Sequence, residues 1–162
     1  VPMQPHPRRL VCCWRAVGQD DVLSIHQRSV PFVAVLQCYR SLLERGWQIV
    51  DITSWKPWER LELERLGIAL HDPSRGDVFD LATLVAGGSV ISIDTALAHL
   101  CAALGQPAQV LLPLYADERW RELLDPGHSY SQVLQVWRQR RYGDWGEVLG
   151  RLLRSPVTRA PL

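Results

Sequence analysis

Lysine is almost missing from this chain. Of 18 basic side chains only Lys56 is not an arginine, so any anion must be met by arginine or by the backbone. Net charge is lacking too: a formal +1 gives no electrostatic case for nucleic acid or an anionic membrane surface. No uncharged apolar stretch reaches the roughly 18–20 residues a spanning helix needs, so a soluble protein is expected. The four cysteines form no C-x-x-C pair, and adjacent Cys12 and Cys13 are badly placed for bridging or for sharing a metal. With Cys38 and Cys101 they sit among apolar residues, which reads as buried free thiols in a reducing, cytoplasmic compartment. The opening VPMQPHPRRL has neither the apolar core of a signal peptide nor Met at position 1; it reads as a processed end or a point inside a longer protein.

What is present is one domain's worth of foldable chain. The 162 residues are 47% hydrophobic and 22% charged, which excludes a disordered or collagen-like polypeptide. Short apolar runs at 10–14 (LVCCW), 47–52 (WQIVDI), 68–70, 89–93 (SVISI), 109–112 (QVLL) and 133–137 (VLQVW) read as strands. Between them lie helical patterns with recognisable ends. Ser29 and Pro31 open one that Gly46 closes, and Ser54 can cap 57–66. Asp77 starts the next, Asp94 opens TALAHLCAAL, 116–124 is helical, and Asp144 with Glu147 resembles a capping box for the last. Strands alternating with helices predict a single Rossmann-like α/β domain: a doubly wound parallel sheet with helices on both faces. It is expected to span 10–153, with a flexible lead at 1–9 and a loose tail at 154–162.

Ligands of such sheets bind beyond the carboxyl ends of the strands, where strand order reverses. With an order resembling 3-2-1-4-5, that crevice lies between the first and fourth strands and receives Trp14–Arg15 and Asp94–Thr95–Ala96. No G-x-G-x-x-G follows the first strand, which counts against an NAD or FAD site of the usual kind, and the absence of G-x-x-x-x-G-K-[ST] excludes a P-loop. In ISIDTALAH a strand runs straight into a helix, so unpaired N–H groups of Thr95, Ala96 and Leu97 would face the crevice. Such a helix start favours negative charge by ~0.3–1 kcal/mol, up to ~2 when partly buried. Asp94 either caps the helix or accepts hydroxyl hydrogen bonds from a sugar. His99 either reaches a phosphate oxygen or packs under the sheet edge. Arg15 either neutralises a diphosphate or is solvated. Asp51 and Thr53 hold ribose hydroxyls or shape a turn, while Trp55 and Trp58 stack on a base or a partner, or pack. Nothing in the pattern argues for a hydrolase, and no metal is implied.

The stretch from Asp77 to Pro113, with its D-T-A-x-A-H element at 94–99, resembles the C-terminal half of glycosyltransferase family 9, the heptosyltransferase-like enzymes. The closer likeness is to versions found behind tetratricopeptide repeats in bacterial proteins. It continues through ERWRELLD, VWRQ and YGDW, and upstream through VCCWR and HQRSVP, covering most of 10–153. The resemblance implies the nucleotide-sugar half of a GT-B fold, with Asp94 on the sugar and the Thr95 and Ala96 amides on the donor diphosphate. The chain departs from the pattern after its first strand, where RAVGQDDVLSIHQRS offers Gly18 alone. The family's catalytic base sits in an N-terminal acceptor domain that this chain lacks, so transfer is expected only with a missing N-terminal domain or a partner chain. Two other readings stand beside this one. The first is a degenerate, non-catalytic module for assembly, suited by exposed-looking Trp55, Trp58 and Trp120 and capable of self-association. The second is a plain binder of a small nucleotide.

Overall fold

The computed structural model describes residues 7–16 and 27–159. Six strands, β1 (Arg9–Cys13), β2 (Gln48–Asp51), β3 (Ala69–Leu70), β4 (Ser89–Ile93), β5 (Ala108–Leu112) and β6 (Leu134–Arg138), form one sheet in the order β3-β2-β1-β4-β5-β6. Every neighbouring pair is parallel, and the strand order reverses between β1 and β4. Parallel strands are covered on both faces, which is why these segments read as continuous apolar runs. Successive residues of β1 go to opposite sides. Leu10 and Cys12 pack in one core with Val35, Leu42 and Leu152, whereas Val11 and Cys13 pack in the other with Leu97, Cys101 and Trp120. The domain is therefore a single Rossmann-like α/β layer structure with helices on both faces.

Seven α-helices are described: α1 (Phe32–Glu44), α2 (Pro57–Arg65), α3 (Val78–Val85), α4 (Ala96–Leu104), α5 (Arg119–Leu123), α6 (Ser129–Val133) and α7 (Trp145–Arg154). None is long and apolar enough to cross a membrane. The short α6 has no counterpart in the sequence pattern, since SYSQV carries little apolar periodicity. Several caps differ from expectation. Pro31 is the N-cap of α1, while the Ser29 hydroxyl accepts a bond from the Ala16 amide at 3.0 Å. Lys56, not Ser54, precedes α2, and its amide donates to the Glu59 carboxylate at 2.8 Å. At α7 only half of the expected box exists: Asp144 accepts from the Glu147 amide at 3.0 Å, but the Glu147 side chain pairs with Arg151. Where the box was not foreseen, at α3, Asp77 and Asp80 form it reciprocally.

The segment expected to be a loose tail is packed as far as the structure describes it. Pro156–Thr158 makes one turn of 3-10 helix, and Thr158 is buried because two groups need its oxygens. Its hydroxyl accepts from Arg45 at 2.8 Å and its carbonyl from the Trp47 indole N–H at 2.7 Å. The end of the expected lead is likewise engaged, since the Gln48 amide donates to the Arg8 carbonyl at 2.8 Å and Arg9 begins β1. Residues 1–6 and 160–162, and the part of the first-strand loop from 17 to 26 that includes Gly18, lie outside the described residues.

Candidate functional site

A crevice of about 330 Å³ opens where β1 and β4 end, lined among others by Cys13, Arg15, Arg28, Thr95, Ala96 and Leu97. A second cavity of about 360 Å³ lies at the other end of the sheet, against Trp47, Ser89, Gln106 and Val157. Only the first has a helix N-terminus directed at it, and the reversal of strand order puts it at the site such sheets use.

Thr95 is the extended residue before α4, and its hydroxyl is turned back toward the Ser92 hydroxyl at 3.0 Å instead of capping the helix. The first helical bond runs from the Ala98 amide to the Thr95 carbonyl at 3.0 Å. The Ala96 and Leu97 amides thus find no acceptor among the described residues, in keeping with the open first turn of a helix. Ala96 is exposed and adds only a methyl group, so nothing of its own bars an anion from those amides.

Arg15 does not bring a free charge to this crevice, which corrects its expected role. Its guanidinium meets the Glu59 carboxylate through two contacts of 2.9 Å and lies 4.5 Å above the Trp55 ring. Burial alone would raise the Glu59 carboxyl. The hydrogen bonds from Arg15 and the Lys56 amide, with the Arg15 charge, outweigh it and hold the group below the usual carboxylate range. The second crevice cation is Arg28, which donates to the Asp94 carbonyl at 3.1 Å. Sequence reasoning passed over it as part of a polar loop; its place just before the opening of α1 was the available signal.

Asp94 and His99 are separated from the other predicted site residues. Asp94 is buried and does not cap α4, because both of its oxygens accept from the Arg119 guanidinium at 3.2 Å. His99 Nε2 lies 3.6 Å from the same carboxylate and Nδ1 lies 3.1 Å from the Tyr130 hydroxyl. The ring stacks on Trp120 at 5.4 Å between centroids. The predicted set therefore divides: Arg15, Thr95, Ala96 and Leu97 line the crevice, while Asp94 and His99 meet Arg119, Trp120 and Tyr130 outside its lining. Arg119 went unnoticed because a helical pattern does not show which carboxylate its arginine will find 25 residues away.

The neighbouring end of β2 is internal. Asp51 and Thr53 are both buried, so neither reaches a ribose. The Asp51 carboxylate accepts from the Tyr39 hydroxyl at 2.6 Å, the Trp55 indole at 2.9 Å and the Thr53 amide at 2.6 Å. The Trp14 indole in turn donates to the Tyr39 oxygen at 2.6 Å. Of the tryptophans taken as exposed, Trp55 and Trp120 are buried; only Trp58, at 57%, presents its ring to solvent. All four cysteines are free and buried, and burial pushes Cys13, at the crevice wall, to about 11. No cluster among the described residues has three or more side chains suited to a metal.

Neither a family model nor a curated protein matches this chain.

Proposed function

We propose that the crevice holds the diphosphate of a nucleoside-diphosphate sugar, making this chain the donor-binding half of a GT-B glycosyltransferase resembling family 9. The observation that carries the reading is the pair of open amides, Ala96 and Leu97, at the end of a crevice that also receives Arg28. Main-chain donors fixed in place stabilise charge as it develops on a leaving diphosphate, with no reorganisation during the reaction. In the transfer, the bond from the sugar's anomeric carbon to the diphosphate breaks. A bond to the acceptor oxygen forms, and the acceptor's proton passes to a base. The family resemblance assigns that base to an N-terminal domain or a partner chain, and no carboxylate lines the crevice among the described residues. The buried thiols suit a reducing, cytoplasmic setting. Thermal shift with UDP, GDP and ADP tests the reading: one of them raises Tm in the wild type and not in Ala96→Trp, whose ring fills the crevice.

A second reading, a non-catalytic module used for assembly, is favoured by one observation: two side chains expected to meet the donor, Asp94 from the family resemblance and Arg15 from its place at the end of the first strand, are both held by other residues. On that reading no nucleotide alters Tm, and self-association measured by sedimentation falls on changing the exposed Trp58 to Ser.

A further inference from the structure

We propose that the cavity at the amino ends of the strands is a second binding site, for a small neutral molecule with an apolar body and a hydroxyl at one end, a phenol in chemical class. It is separate from the crevice and stands whether or not a nucleotide binds there. The face of the sheet toward α1 and α7 is covered by helices, so its residues are expected to be apolar. Leu10, Ile91, Ile93 and Leu111 on that face are apolar and buried. Two residues of the same face break the pattern: Ser89, two before Ile91 on β4, and Gln109, which pairs with Ile91 from β5. Both are half-buried, and both line the cavity of about 360 Å³.

Gln109 Oε1 accepts from the Trp137 indole at 2.8 Å, which leaves the Gln109 NH₂ without an acceptor among the described residues. The Ser89 hydroxyl likewise meets no partner among them. A ligand hydroxyl satisfies both, donating to Ser89 and accepting from Gln109. The rest of the wall, Leu10, Leu42, Trp47 and Val157 among others, is apolar, and no charged side chain lines the cavity. An ion placed there would lose water and gain no counter-charge, so carboxylates and nucleotides are refused. At roughly 30 Å³ for each water-sized group, the space holds about a dozen non-hydrogen atoms. Both rims are fixed in advance. Gln106 accepts from the Gly87 amide at 3.3 Å and donates to the Gly88 carbonyl at 2.9 Å on one side. On the other, the Trp47 indole and Arg45 hold Thr158. Binding therefore spends little on ordering the wall.

The experiment is an amide-resolved NMR titration of the whole ¹⁵N-labelled chain at neutral pH with three probes of one shape: para-ethylphenol, ethylbenzene and para-ethylbenzoate. The phenol is expected to bind in the millimolar range or tighter, at least tenfold more tightly than either of the others. Its shifts should centre on Ser89, Gln106, Gln109 and Val157 and spare Ala96 and Leu97. Ser89→Ala should weaken the phenol at least fivefold and leave ethylbenzene within twofold. Val157→Trp, which fills the cavity from its half-exposed edge, should abolish binding of the phenol. Ethylbenzene bound as tightly as the phenol overturns the proposal, since the cavity would then be a gap in packing. So do tighter binding of the benzoate, phenol binding that survives Val157→Trp, and no shift from the phenol at millimolar concentration.

Discussion

Arg15 and Glu59, 44 residues apart, face each other through two parallel contacts of 2.9 Å, and that pairing turns a crevice cation into a structural one. Glu59 is almost wholly covered, so removing Arg15 leaves its carboxylate with the Lys56 amide as its remaining donor. Arg15→Ala is expected to cost about 1–3 kcal/mol, between an exposed and a buried pair, read as a lower urea midpoint. The double variant Arg15→Ala/Glu59→Ala should recover part of that loss, because it removes the stranded charge. A single variant as stable as the wild type would show that the pair contributes nothing.

Asp51 should give the domain an unusual dependence on pH. Burial raises its carboxyl, and the bonds from Tyr39, Thr53 and Trp55 only partly offset this. The folded chain then holds this proton where the unfolded chain has lost it. Stability from this group is full below the ordinary carboxylate range and falls as pH rises through the raised folded value. Glu59, Asp72 and Glu147 are shifted the other way, and their contribution is lost only as pH falls through their depressed values. Urea midpoints measured from about pH 5.5 upward, above the ordinary carboxylate range, where those three groups are ionised folded and unfolded, should therefore decline with pH in the wild type and decline less in Asp51→Asn. The amide itself should cost about 1–3 kcal/mol, since three donors converge on two oxygens and an NH₂ at either position opposes one of them. A wild-type stability that rises steadily over that range would contradict the assignment.

The thiols should be silent until the chain unfolds. Burial raises Cys38 and Cys101 to about 12 and Cys13 to about 11, which leaves almost no thiolate at pH 8. Titration with an aromatic disulfide at that pH should release almost nothing from the native protein and four equivalents in denaturant, one per cysteine. Rapid native release of even one equivalent would mean that Cys13 is reached through the crevice.

Most of the fold was legible because a doubly covered parallel sheet writes itself as short apolar runs separated by capped helices. All six strands lie within one or two residues of their expected bounds, and the expected order of five is observed, with β6 added beside β5. The crevice was legible for the same reason: its position follows from topology, and its amides from a strand that runs directly into a helix. The charges around it were not. Arg15 is drawn away by Glu59 and Asp94 by Arg119, pairs separated by 44 and 25 residues that no local spacing reveals. The tail was misjudged in the same way, because Thr158 is held by Arg45 and Trp47 from the far side of the chain.

The most direct measurement is an amide-resolved NMR titration of the ¹⁵N-labelled chain with the nucleoside diphosphate that raises its Tm. The expected result is that the Ala96 and Leu97 N–H resonances move farthest and downfield, as amides do on donating to an anion, with Arg28 side-chain signals following. Large shifts confined to the opposite end of the sheet around Ser89 and Gln106, or no shift at Ala96 and Leu97 at saturation, would contradict the account.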